Sequence, residues 1–287
     1  MLAEQPAGPP ADHGKVAKRR RAITGEGSRF RLGRVPPGRV VSLCPSITET
    51  LVAVGGLSRL AAATRFCTRP KGLLWGLPRV GGTKDPDVGR ILDLAPDLVF
   101  ANEEENRRED IEALRAAGVA VDVSFPRRVR DVPADVRRLG RILGTTDQSE
   151  PLALQIEREI VDLEASPPRG RFRYAYWIWM EPWMTISGDT YVADLLRLAG
   201  GEGVFELETE RYPPAMPAEA LRRGATVHFF PSEPFAFRER RHAALVEELF
   251  GRETRRLFVE GDDYCWHGAR TLDGLAAMKR LRQELRF

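Results

Sequence analysis

Leu94-Ala95-Pro96-Asp97-Leu98-Val99-Phe100-Ala101-Asn102-Glu103-Glu104-Glu105-Asn106-Arg107 is the stretch whose reading decides the fold. An apolar run from Asp97 to Ala101 stops at an Asn and three carboxylates, and a helical period starts at Arg107. A buried strand that feeds a helix through a polar turn is the repeating step of an open α/β sheet, where ligands sit beyond the carboxyl ends of the strands. Asn102 and Glu103 therefore stand where a bound molecule would be gripped. A second reading stays open for the acids: Glu103 to Glu105 favour the positive start of the helix that follows.

The same step recurs on both sides. Upstream, Val40 to Cys44 reads as a strand halted by Pro45, and Ser46-x-x-Glu49 as a capping box opening a helix from Ile47 to Val54 that ends at Gly55-Gly56. Leu60 to Thr64 reads as a strand, Val88 to Leu94 and Arg107 to Ala117 as helices, and Val119 to Val123 as a strand. After a helical period from Val129 to Leu143 and a stop at Gly144, Glu150 to Ala165 has no internal turn cluster and reads as one long helix, closed by Ser166-Pro167-Pro168-Arg169-Gly170. Strands at Phe172 to Trp179, Thr226 to Phe230 and Arg256 to Glu260 then alternate with helices at Tyr191 to Leu198, Ala218 to Arg223, Glu239 to Phe250 and Leu272 to Leu285. The fold class expected is α/β: two Rossmann-like lobes with parallel sheets, joined by one long interdomain helix. The boundaries are a disordered basic tail at 1–37, an N-terminal lobe at 38–145, a bridging helix and linker at 146–168, and a C-terminal lobe at 169–287.

Charge is unevenly spread. The chain of 287 residues carries +3 overall, but residues 15–34 hold eight Lys or Arg against Glu26, so the remainder is mildly acidic. That argues against a nucleic-acid groove in the folded part. Arg19-Arg20-Arg21 is followed by Ala-Ile-Thr-Gly-Glu-Gly-Ser rather than an apolar core, so no secretory signal is legible and the chain as written reads as cytoplasmic. No run approaches the ~18 apolar residues of a membrane span. The cysteines Cys44, Cys67 and Cys265 form no C-x-x-C pair, which excludes a disulfide framework or zinc ribbon.

Several motifs together resemble a known family: Val41 to Glu49, Phe66-Cys67-Thr68-Arg69-Pro70, Val80-Gly81-Gly82-Thr83-Lys84-Asp85-Pro86, Leu94 to Asn102, and Ile186-Ser187-Gly188-Asp189 through Gly200-Gly201-Glu202-Gly203-Val204-Phe205. Over roughly residues 38 to 286 the chain is similar to the class III, helical-backbone substrate-binding proteins of ABC importers, vitamin B12 binders among them. The resemblance implies two α/β lobes bridged by a rigid helix, with the ligand between them. It implies a monomeric, non-catalytic binder that requires no cofactor, whose ligand is a small-molecule metal chelate such as a corrinoid, haem or ferric chelate and whose partner is an ABC permease. Its role would be periplasmic if the natural start differs. Phe66 falls where the B12 binders offer a stacking aromatic, Thr83 and Asn102 where they have Trp, and Trp183 or Met184 and Tyr212 near their second-lobe aromatics. Of the two docking carboxylates, Glu219 matches in the second lobe; Gly89 stands at the first-lobe position, with Asp87 nearby.

Cys265-Trp266-His267-Gly268-Ala269-Arg270 is the densest segment: a thiol, a stacking ring, an imidazole and a fixed cation within six residues. Trp266 and Arg270 also admit a plainer reading, as lobe packing and a surface charge. Under the resemblance Cys67 and His267 approach from opposite lobes and, with Cys265 or Glu103, could form a soft metal site. The same pair as nucleophile and base would make an enzyme, but no oxyanion-hole or nucleophile-elbow pattern is present. Lys84 stands out after Gly81-Gly82-Thr83 because only five Lys occur, and it could meet an anion. A non-catalytic chelate receptor is the leading expectation; the alternative is a cytoplasmic metal- or cofactor-handling protein or enzyme reusing the fold.

Overall fold

Four strands and four helices alternate through the first half of the chain: β1 (Val40–Ser42), α1 (Pro45–Ala53), β2 (Leu60–Ala63), α2 (Val88–Asp93), β3 (Leu98–Asn102), α3 (Arg108–Ala116), β4 (Val121–Ser124) and α4 (Val132–Leu143). This is a computed structural model that describes residues 35–168 and 170–285; the basic tail expected at 1–37 lies, as far as residue 34, outside the described residues. The strands pair in parallel in the order β2-β1-β3-β4. Sheets of this kind are covered on both faces, so their strands are apolar throughout rather than alternating. All five residues of β3 are buried accordingly, and Val41, Leu43, Val99 and Ala101 pack against Ile91, Ile111 and Leu114.

Helix α5 (Thr146–Ala165) follows α4 after Gly144, which takes a left-handed φ of 65° to cap it. The uninterrupted helix read from the sequence is present and starts four residues earlier than expected. The second half repeats the pattern with β5 (Phe172–Tyr176), α6 (Tyr191–Leu198), β6 (Gly201–Gly203), α7 (Pro217–Arg222), β7 (Val227–Pro231), α8 (Glu239–Phe250), β8 (Arg255–Val259), α9 (Gly261–Cys265) and α10 (Thr271–Glu284). Its sheet is also parallel, in the order β6-β5-β7-β8, so each half places its first strand second and reverses direction beside it. Its core is aromatic: Trp177, Phe205, Phe230, Phe237 and Phe250 cluster around Val246.

Three local readings change. The strand expected to run to Trp179 stops at Tyr176, because Trp179 bridges to Met184 instead of continuing the sheet. The short strand β6, Gly-Glu-Gly, carries no β-forming residue and is held by its pairing to β5. Helix α1 begins at Pro45, and Ser46 and Glu49 do not form a capping box; their side chains serve other partners described below.

The described chain divides into two compact units. The first runs to Asp162 and also takes in Trp266–Asp273; the second comprises Leu163–Cys265 and the residues from Gly274 onward. The C-terminal lobe expected at 169–287 thus gives up eight residues to the N-terminal unit. Among the described residues no helix is long and apolar enough to cross a membrane.

Candidate functional site

In the N-terminal unit the four parallel strands bring Cys44, Thr64, Asn102 and Ser124 to one edge of the sheet. The order reverses between β1 and β3, and such a switch point opens a crevice at the carboxyl ends. Asn102 stands at its rim but is committed to the backbone. Its Oδ1 accepts from the amides of Glu104 (2.9 Å) and Glu105 (3.2 Å), and its Nδ2 donates to the Ser124 carbonyl at 3.1 Å. Asn106, which sequence reasoning passed over, completes this frame: Oδ1 accepts from the Asn102 amide at 2.9 Å and Nδ2 donates to the carbonyls of Leu43 (3.0 Å) and Thr83 (2.9 Å).

The crevice itself is filled by the chain's own His267. Its Nε2 lies 3.1 Å from Asn102 Nδ2 and 3.4 Å from Ser46 Oγ. Asn102 Oδ1 already accepts two amides, so Nδ2 is the donor and His267 Nε2 the acceptor, which fixes a neutral ring protonated on Nδ1. Burial holds that ring below the ordinary histidine pKa, against the pull of Asp135 and Glu104.

Helix α1 receives the rest of the segment. Ser46, Glu49 and Thr50 share one face at helical spacing and are all buried. His267 meets Ser46, the Ala269 amide donates to Thr50 Oγ1 at 3.0 Å, and Arg270 Nε donates to Glu49 Oε2 at 3.0 Å, with the Arg270 and Glu49 side chains each 11% exposed. Gly268 has φ +82°, and a Cβ there would stand 1.9 Å from Thr50 Oγ1. Only glycine fits both the backbone and the space. The polar stripe Ser46-x-x-Glu49-Thr50, on one face of α1, was the sequence signal for this docking, and the capping-box reading obscured it.

The expected soft metal set does not assemble. Cys67 belongs to the same unit as His267 rather than an opposite one. It is fully buried, and its Sγ receives Thr48 Oγ1 at 3.0 Å and is paired with Thr64 Oγ1 at 3.1 Å. Burial pushes its thiol pKa up, which disfavours the thiolate a metal needs. In the C-terminal unit Cys265 donates instead to Glu233 Oε1 at 3.2 Å. Among the described residues no three His, Cys, Asp or Glu side chains gather as a metal set. Trp266 and Arg270 follow the plainer packing reading in part: both are largely buried, but Arg270 is an ion-pair partner and not a surface charge.

The other first-unit candidates differ in exposure. Phe66, three residues beyond β2, is 48% exposed, and the Arg65 guanidinium lies 4.8 Å above its ring. Thr83 is buried, whereas Lys84 is exposed and its Nζ donates to the Glu104 carbonyl. Glu103 is half-buried, its amide donating to Ser124. In the C-terminal unit Trp183 stands edge-on to Trp177 at 5.2 Å and stacks on Phe237 at 6.0 Å, so most of its ring is core. Met184 carries the bridges to Trp179 and Pro214, and Tyr212 is half-buried with Arg211 6.0 Å from its ring. Glu219 is held by Arg223 at 2.6 Å within α7 and its cap; Gly89 is exposed, and Asp87 caps α2 by accepting the Arg90 amide at 2.9 Å.

Comparison with known proteins agrees with this architecture. A vitamin B12-binding protein of Vibrio parahaemolyticus is 26% identical over 203 residues, covering 70% of this chain and 74% of the relative. Among solved structures, the periplasmic vitamin B12 binding protein of Vibrio cholerae superposes with a TM-score of 0.72 at 22% identity, over 87% of this chain and 98% of that one. A periplasmic heme binding protein from Pseudomonas aeruginosa gives 0.74 at 21% identity, over 88% and 94%. Both structural likenesses speak to the fold. The family model described as periplasmic binding protein matches residues 40–228, well over half of the 287, and on that match the chain belongs to the periplasmic binding protein family.

Proposed function

We propose that the protein is a non-catalytic receptor for a metal chelate built on a flat macrocycle, of corrinoid or haem type. The observation that carries this is Phe66: an aromatic ring left 48% exposed at the carboxyl edge of a parallel sheet, with the Arg65 guanidinium over it, in a chain whose family includes B12 and heme binders. An exposed ring beside a fixed cation suits a planar ligand with carboxylate or amide arms. Lys84 and Glu103, near the same edge, offer one charge of each sign for those arms. The family's binding role supports binding over catalysis; His267 is engaged by Asn102 and Ser46, and both thiols at the proposed metal positions are hydrogen-bonded.

Hand-over to an ABC permease is the family-based extension. One observation favours a second reading, a chelate holder that acts without paired docking glutamates: Glu219 is tied to Arg223, and the counterpart Gly89 has no side chain. Titrating the full chain with cobalamins, hemin and ferric chelates, while following Trp emission and ligand absorbance, tests the main proposal. Saturable one-to-one binding, weakened about tenfold by Phe66→Ala through lost ring contact, is expected. Silence with all three ligand classes overturns it.

A further inference from the structure

We propose that the loop from Pro70 to Leu77 is an interfacial contact site for anionic membrane surfaces, with Leu73 and Trp75 entering the headgroup layer and Lys71 facing lipid phosphates. Trp75 is 92% exposed and Leu73 55% exposed, whereas Leu74 between them is buried and anchors the loop. This is a held geometry. Arg79 Nη1 donates to the carbonyls of Thr64 (3.0 Å) and Cys67 (2.9 Å), its Nη2 reaches the Leu74 carbonyl at 3.3 Å, and Leu77 N closes a turn onto Leu74 at 3.3 Å. Gly72 and Gly76 flank the tip at φ +82° and +74°, and a Cβ on either would meet no heavy atom within 4 Å, so the tip stands clear of the body.

The chemistry of the tip selects its occupant. Trp and Leu beside a Lys are the residues that settle at a bilayer interface, the ring at headgroup level and the ammonium toward phosphate. An open depression of about 460 Å³ is lined by Leu74, Trp75 and Leu77 together with Lys71, so the same loop presents apolar and cationic groups side by side. Two protruding apolar side chains are too few for a protein interface, which needs roughly 800 Å² per partner, but enough for a wedge in lipid. Reversible membrane contact strengthens when an apolar element is paired with a polybasic one. The sequence supplies the second in residues 15–34, with eight Lys or Arg.

The test uses the full chain and vesicles of phosphatidylcholine with or without phosphatidylglycerol, read by co-sedimentation at low and high salt. Three variants are compared, each checked for an unchanged melting curve: Leu73→Ser with Trp75→Ser, Lys71→Glu, and Arg19→Glu with Arg20→Glu and Arg21→Glu. Wild type is expected to bind the anionic vesicles, the tip variant to bind at least tenfold more weakly, and Lys71→Glu about fivefold more weakly. Brominated acyl chains should quench wild-type emission and leave Trp75→Phe little affected. Failure of wild type to bind, or a tip variant that binds as well as wild type while the tail variant does not, overturns the proposal. A tip variant that instead loses a soluble protein partner, with no vesicle binding in wild type, does so as well.

Discussion

Gly268→Ala is the sharpest perturbation of the docked segment, because two independent penalties meet at one atom. An L-residue at φ +82° costs about 1–2 kcal/mol relative to glycine. The new Cβ would lie 1.9 Å from Thr50 Oγ1, and relieving such an overlap costs about 1–3 kcal/mol. The shift also strains the bond from the Ala269 amide to Thr50 Oγ1, now 3.0 Å long, worth about 1 kcal/mol. Together these give about 3–6 kcal/mol, placed locally between Trp266–Asp273 and α1. Hydrogen exchange read by mass spectrometry is the appropriate assay, since exchange reports opening region by region. Peptides covering residues 45–54 and 266–273 should exchange about a hundredfold faster or more, while peptides from β5 and β7 change little. Adding Thr50→Ala removes the oxygen and leaves only the former Cβ at 3.1 Å, so the double variant should recover the steric share and not the backbone share. Unchanged exchange in Gly268→Ala, or a double variant no better than the single, would refute the docking argument.

Arg270→Ala leaves Glu49 with its carboxylate largely buried, so a loss of about 3 kcal/mol is expected in denaturant melts, with part of it regained in Glu49→Gln/Arg270→Ala; a loss under 1 kcal/mol contradicts the pair's role. Arg282 donates to the carbonyls of Leu198 (2.9 Å) and Leu163 (2.8 Å) near the ends of α6 and α5, so Arg282→Met should cost about 2 kcal/mol, read as a melting shift of several degrees. His228 accepts Trp177 Nε1 at 3.3 Å, and burial, helped by Arg256, brings its pKa down to about 4. Its folded pKa lies below the unfolded value near 6.5, so its contribution is complete above that pH and is lost as pH falls toward 4. The loss is about 3 kcal/mol, and urea midpoints of His228→Asn should be flatter over that range if the sign is right.

Most of the fold was legible because its signals are local. Apolar runs of strand length, Gly144 ending α4 and the uninterrupted period of α5 each depend on neighbours within a few residues. Strand β6 was missed because a Gly-Glu-Gly edge is made by its partner, and Trp177 to Trp179 were over-read as strand because aromatic residues suit a sheet and an aromatic core equally. Placement of the site residues depended on contacts more than 160 residues apart in the chain, such as His267 with Asn102, which no window reveals. A lone histidine in a dense polar segment reads as a ligand until its partner is known.

The partners change which residues can meet a ligand. Asn102 looked like a gripping residue because polar groups at strand ends usually line a crevice, Cys67 and His267 like metal ligands, and Arg270 like a fixed cation in a dense segment, but here each satisfies another buried group. A buried donor or acceptor removed from its partner costs about 1–3 kcal/mol, so a guest could recruit these groups only by disrupting the docked segment. Phe66 carries no such cost at its exposed ring and stands in reach of solvent without a repacking step. Substituting Asn102 or His267 should therefore lower stability more than affinity, whereas substituting Phe66 should lower affinity and leave stability nearly unchanged. Melting curves and chelate titrations run on the same three variants separate the two roles, and the opposite ordering would return the site to the switch-point crevice.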